Sequence, residues 1–189
     1  MFDSQCKLVP DLEPDDDGWI FAIVHAMWAD MTLSKWFHDQ LQSTADGFVW
    51  AVQQVAENRL YLQPETPVLG EWSAARHAYH MLHYEQTYAI PSMRQWLGGP
   101  VPDAAGVNED AAWQEEHKLA EVSRKFRVIR AQQIAMLTQF EDTSWEELHE
   151  TFWQQQSLRW VLSKTIQHTA EHTHDVLSIA LFWDHLQGR

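Results

Sequence analysis

Glycine and proline, the residues that interrupt helices, are gathered into a few places in this chain of 189 residues. The densest break is Gly98-Gly99-Pro100-Val101-Pro102 through Gly106, and a second runs from Gln63 to Gly70. Between the breaks, apolar residues return every third or fourth position, the period of one helical face. Trp19, Ile20, Ile23, Val24, Met27 and Trp28 do so over residues 18–30. Trp36, Phe37, Leu41, Phe48, Val49, Val52 and Val55 follow the same schedule over about 33–60. A third helix opens at Trp72-Ser73, with Ser73 placed to cap it, and runs to about Trp96, with Pro91 expected to bend it. A fourth is expected from about Asn108 to Phe140 and a last from about Ser157 to Leu186, with a short helical segment between Trp145 and Phe152. No strand alternation and no internal repeat stands out. Long helices on short connections predict an all-α fold, an up-and-down four-helix bundle. Residues 17–189 then form a single helical-bundle domain whose first helix is an N-terminal extension, and residues 1–16 an extended acidic lead-in.

Charge removes several classes of function. Twenty-seven acidic residues against 13 Lys plus Arg leave a net charge of −14, which repels a phosphate backbone. Nucleic acid is therefore not an expected partner. The one cysteine, Cys6, has no internal partner for a disulfide. No cationic leader precedes an apolar run, and no run approaches the roughly 18 apolar residues of a membrane span. A cytoplasmic protein that does not engage a membrane is expected.

The chemistry lies in the histidines, of which there are eleven. The last helix reads Gln167-His168-Thr169-Ala170-Glu171-His172-Thr173-His174-Asp175. Histidines four apart share a face, one turn above each other, and can reach one ion. Their stripe continues through Val161, Thr165, Val176 and Ile179, so the pair points inward, where unpartnered imidazoles are costly. The third helix offers His77, His80 and His83 at spacings of three. Any one of them could complete a three-nitrogen site with an open position, the arrangement of a catalytic zinc or similar ion.

At these residues the chain resembles the DinB/YfiT-like superfamily. That family's pattern has Trp-Ser, a metal-binding histidine eight residues after the tryptophan, and an acidic residue five further on. Trp72-Ser73, His80 and Glu85 fall on those places, and His168, His172 and the aliphatic run from Val176 match the family's last helix. The resemblance spans about residues 45–186 and selects His80, with His168 and His172, as the ligand set. Where many members carry a small-polar step after the second ligand of the pair, this chain has His174-Asp175. The resemblance implies a divalent metal, zinc or nickel first and iron next. It also implies a small-molecule substrate such as a low-molecular-weight thiol, a metal-dependent hydrolase or thiol S-transferase, and a homodimer. The alternative is a non-catalytic metal-binding or stress-response bundle.

The remaining candidates read more plainly. His77 and His83 are packed residues or substrate-facing groups, His174 faces outward, and Glu171 is a solvated flank. The tryptophans Trp19, Trp28, Trp36, Trp50, Trp113, Trp160 and Trp183 are expected in the core, while Trp145 and Trp153 could wall a pocket. An HD phosphohydrolase reading of His38-Asp39 and His174-Asp175 lacks the further ordered ligands. A di-iron reading needs Glu-x-x-His on two helices plus further glutamate ligands, and Glu146 to His149 falls in a short segment beside a turn.

Overall fold

The computed structural model describes residues 32–103, 105–113 and 118–186. The acidic lead-in, Cys6 and the helix expected over 18–30 lie outside the described residues. The chain enters α1 (Leu33–Gln54) at Thr32, whose hydroxyl accepts from Lys35 N at 3.1 Å and supplies a helix N-terminus with one of its missing acceptors. Phe37, Leu41, Ala45, Phe48 and Val52 form the buried stripe of α1. α2 (Ala74–Tyr84) is capped as expected by Ser73, which accepts from Arg76 N at 3.2 Å.

A π-helical turn, Glu85–Ala89, follows α2 and leads into α3 (Ile90–Met93) and a 3₁₀ turn to Leu97. Pro91 cannot donate to the helix, and the wide turn just before it absorbs the bend expected there. Gly98 then closes the helix at φ 74°, with Gly98 N bonded to Gln95 O and Gly99 N to Arg94 O. A Cβ on Gly99 would lie 2.8 Å from that same Arg94 carbonyl oxygen, so the stop needs glycine there.

The helix expected from 108 to 140 is divided. Residues Glu109–Trp113 form α4, and Lys118 is extended (φ −81°, ψ 114°) before α5 (Leu119–Met136) begins. Beyond a 3₁₀ turn that ends at Trp145, the segment to residue 152 is not helical. Leu148–Thr151 (β1) pairs antiparallel with Gln154–Ser157 (β2), and Phe152-Trp153 make the turn. Thr151 holds that turn, accepting from Trp153 N and donating to Gln154 O. α6 (Leu158–Leu186) has 29 residues, about 44 Å at 1.5 Å per residue.

The four long elements make the expected helical bundle. α1 packs chiefly on α6 and α5, and α2 chiefly on α5 and α6, so α1 and α2 lie across the bundle from each other. Two apolar clusters fill it. One gathers Phe48, Val52, Ala78, Met81, Phe126, Val176 and Ile179, and the other Phe37, Leu41, Met93, Leu137, Trp145 and Leu162. Trp145 stacks on Phe37 at 5.4 Å inside the second cluster, a core position. Trp50 and Trp160 are exposed rather than core (54% and 38%). Among the described residues no helix is long and apolar enough to cross a membrane.

A polar cluster is also buried in the bundle. Glu85 is fully buried and pairs with Arg130 at 2.6 Å, while Arg130 also donates to Thr169 Oγ1 at 2.8 Å. Gln133 donates to the second Glu85 oxygen. Burial pushes the Glu85 carboxyl up, with Arg130 and Gln133 pulling it back. Removing one member of a buried pair strands the other charge. Glu85→Ala is therefore expected to destabilise the protein by about 3–5 kcal/mol in urea unfolding. Glu85→Leu combined with Arg130→Met should recover most of that loss.

Candidate metal centre

α6 turns the stripe Val161, Thr165, Val176 and Ile179 fully into the core, and this phase carries His168 and His172 to its edge. α2 crosses opposite and presents His80. The ring nitrogens of His80, His168 and His172 offer one donor atom each, all within 4.8 Å of one another. Their side chains are 16%, 16% and 12% exposed, at the edge of the bundle. Of the three histidines that the α2 spacing offered, His80 is the one that joins the pair in this group.

The outer nitrogens explain the orientation of the rings. His80 Nδ1 lies 3.0 and 2.9 Å from the two oxygens of Glu109. A carboxylate can only accept, so the proton sits on Nδ1 and the Nε2 lone pair faces inward. Nε2 stands 3.0 Å from His168 Nε2. His172 Nδ1 meets His77 Nδ1 at 2.8 Å, and His168 Nδ1 is 3.6 Å from Glu171. His80 and His172 thus each have a hydrogen-bond partner on Nδ1, whereas Glu171 stands beyond hydrogen-bond reach of His168. A second trio, His77, His172 and Asp175, shares His172 and adjoins the first.

Burial sets the charge state. Together with the neighbouring imidazoles it lowers His77 and His168 to about 3 and His172 to about 4. At neutral pH these rings are uncharged donors, the form a cation requires. Burial alone would raise Glu109, but the hydrogen bond from His80 and the nearby Arg76 guanidinium outweigh it and hold the carboxyl low. Imidazoles crowded nitrogen to nitrogen, backed by acceptors, fit a divalent ion of the zinc, nickel or iron(II) kind.

Trp72, known from the sequence only as a marker of register, covers the group. Its ring stacks on His172 (5.9 Å, 5°) and lies 4.9 Å from His80. Tyr84 packs on the other flank, 4.3 Å from His168, and Trp153 lies 5.9 Å from Tyr84, one shell further out. His77 is buried against His172, while His83 stacks on Tyr79 away from the trio. His174 is exposed, and Glu171 is half-exposed and bonded to Gln167, which suits a solvated flank. His77 was findable, since it stands one turn before His80 on the same helix. Glu109 was not, because no periodicity ties its connection to α2.

A family model for the DinB superfamily matches residues 40–176. Among solved structures, YfiT from Bacillus subtilis, described as a probable metal-dependent hydrolase with an unusual four-helix bundle topology, is similar in fold. The TM-score is 0.65 at 15% identity, over 82% of this chain and 91% of that one. No curated protein matches the chain.

The neutral rings also make the metal-free protein sensitive to acid. Their folded pKa values of about 3 to 4 lie below the ordinary 6.5, so between these limits the unfolded chain binds protons that the folded one refuses. Their contribution therefore makes stability fall as pH drops from about 6.5 toward 4 and leaves it level above that. Urea midpoints across this range should show the fall. The slope should be shallower in His168→Gln/His172→Gln, and an unchanged slope would refute neutral rings.

Proposed function

The chain belongs to the DinB superfamily, and from that membership we propose that it is a metal-dependent hydrolase of a small molecule, with His80, His168 and His172 as ligands. The observation that carries the reading is the convergence of three ring nitrogens within 4.8 Å of one another, with the opposite nitrogen of His80 turned to the Glu109 carboxylate. Imidazoles that serve a metal are oriented in this way. The description of YfiT, a bundle of the same fold, points to the same chemistry.

Bound there, a divalent cation supplies Lewis acidity, polarising an electrophile and making water acidic enough to attack near neutral pH. The chain supplies the setting. The three histidines bind as uncharged donors, and Glu109 holds the proton at His80 Nδ1. The ring of Trp72 keeps water from one side of the imidazoles. Burial pushes the Tyr84 phenol up, so its hydroxyl stays protonated and serves as a donor rather than a base.

Protein purified without a histidine tag is expected to carry stoichiometric metal. His80→Ala, His168→Ala and His172→Ala should each lose it, and retention by any one would sink the three-ligand model. A panel of hydrolysable small molecules, and a second of low-molecular-weight thiols with electrophiles, should be run with and without metal. Metal-dependent turnover in the first supports hydrolysis, and turnover confined to the second replaces it with thiol transfer. Silence in both, with metal bound, favours a non-catalytic metal-binding bundle.

A further inference from the structure

The stretch from Gly98 to Gly106 reads as a linker, and the short helix α4 that follows it returns to the histidines. α4 lies against α2. Trp113 packs on Tyr79 at 5.5 Å and sits 5.4 Å from the Arg76 guanidinium. Asn108 accepts from Ala111 N at 2.9 Å and starts the turn. Arg76, one turn before His80 and 6% exposed, reaches two carboxylates, Glu109 at 2.6 Å and Asp110 at 2.7 Å. These two differ in placement. Asp110 is 87% exposed, whereas Glu109 is 17% exposed and sets both its oxygens against His80 Nδ1.

We infer that Glu109 is a positioning residue of the metal centre, orienting His80 through Nδ1 from a connection that Arg76 and Trp113 dock onto α2. The inference rests on the three-histidine reading. Glu109 faces His80 Nδ1, opposite the Nε2 that stands 3.0 Å from His168, and it is not part of the three-histidine group. It therefore acts on the ligand rather than on the ion. A carboxylate there fixes the tautomer, limits rotation of the ring and makes the inner nitrogen a stronger donor. Arg76 in turn holds Glu109 in place through an ion pair at 2.6 Å. Glu109 lies outside the helical stripes that carry the ligands, and Arg76, one turn before His80 on α2, links the docking of α4 to metal affinity.

Cobalt(II) titration of the metal-stripped full chain tests this, read both as a dissociation constant and as a visible ligand-field spectrum. Glu109→Ala is expected to bind about 10- to 100-fold more weakly with a shifted spectrum. Glu109→Gln keeps a neutral acceptor and should lie between it and the unaltered protein. Asp110→Asn, which touches Arg76 but not His80, should bind as the unaltered protein does. Thermal unfolding of stripped Glu109→Gln at the unaltered temperature would show that orientation, not folding, has been lost. Unchanged affinity and spectrum in Glu109→Ala, or an equal loss in Asp110→Asn, would overturn the positioning role. If His80→Ala loses cobalt while Glu109→Ala keeps it, only that role falls. If His80→Ala still binds like the unaltered protein, the three-histidine reading falls and takes the role of Glu109 with it.

Discussion

Glu85 and Arg130 form an ion pair with almost no access to water, and the placement of the three histidines depends on it. Such a pair adds little net stability, because desolvating two charges offsets most of their attraction. What it fixes is register. Glu85 lies one residue past α2, Arg130 on α5, and Thr169, which Arg130 also binds, on α6 beside His168. Sliding any of these helices by a turn would leave a charge buried and alone. The helices that carry His80 and His168 are therefore locked within a few residues of the rings themselves, and the close approach of the two ring nitrogens follows from that lock.

The polar environment of the rings also fits the charge of the whole chain. With 27 acidic residues against 13 basic ones, the protein draws cations toward it and repels anions over the range of a Debye length. The donors that would receive a cation are nonetheless uncharged, because burial keeps protons off them. Long-range attraction and local readiness thus come from different residues, the first from the acidic surface and the second from enclosure.

The sequence made legible what periodicity and spacing carry. The stripe through Val161, Thr165, Val176 and Ile179 is fully buried, so the inward direction of His168 and His172 could be read from it. Ser73 caps α2 as its position suggested. Partnership between helices was not legible, since α1 and α2 each have an apolar face that suits either neighbour and only packing decides. The hairpin escaped because its strands, Leu-His-Glu-Thr and Gln-Gln-Gln-Ser, are short and polar and show no alternation. Trp50 and Trp160 fell on helical periods yet face solvent, because a period gives spacing without saying which face is covered. Glu109 was hidden for another reason. Its role depends on where a connection rich in glycine and proline comes back to, and no local pattern encodes a return.

The π-helical turn from Glu85 to Ala89 changes the phase of its helix. A turn closed by Ile90 N to Glu85 O spends one residue more than an α-helical turn before the backbone resumes its pitch. Everything before it, His80 included, is therefore clocked to one face, and everything after it, Ile90 and Met93 included, to another. Both halves are buried, His80's neighbours Met81 and Leu82 in one cluster and Met93 in the other. A ruler with a fixed 3.6-residue graduation, laid along residues 74–97, misreads one half by about 100° whichever half it is zeroed on. Comparison of relatives across this stretch should accordingly admit a one-residue step at residues 85–89 and keep the two halves in separate registers.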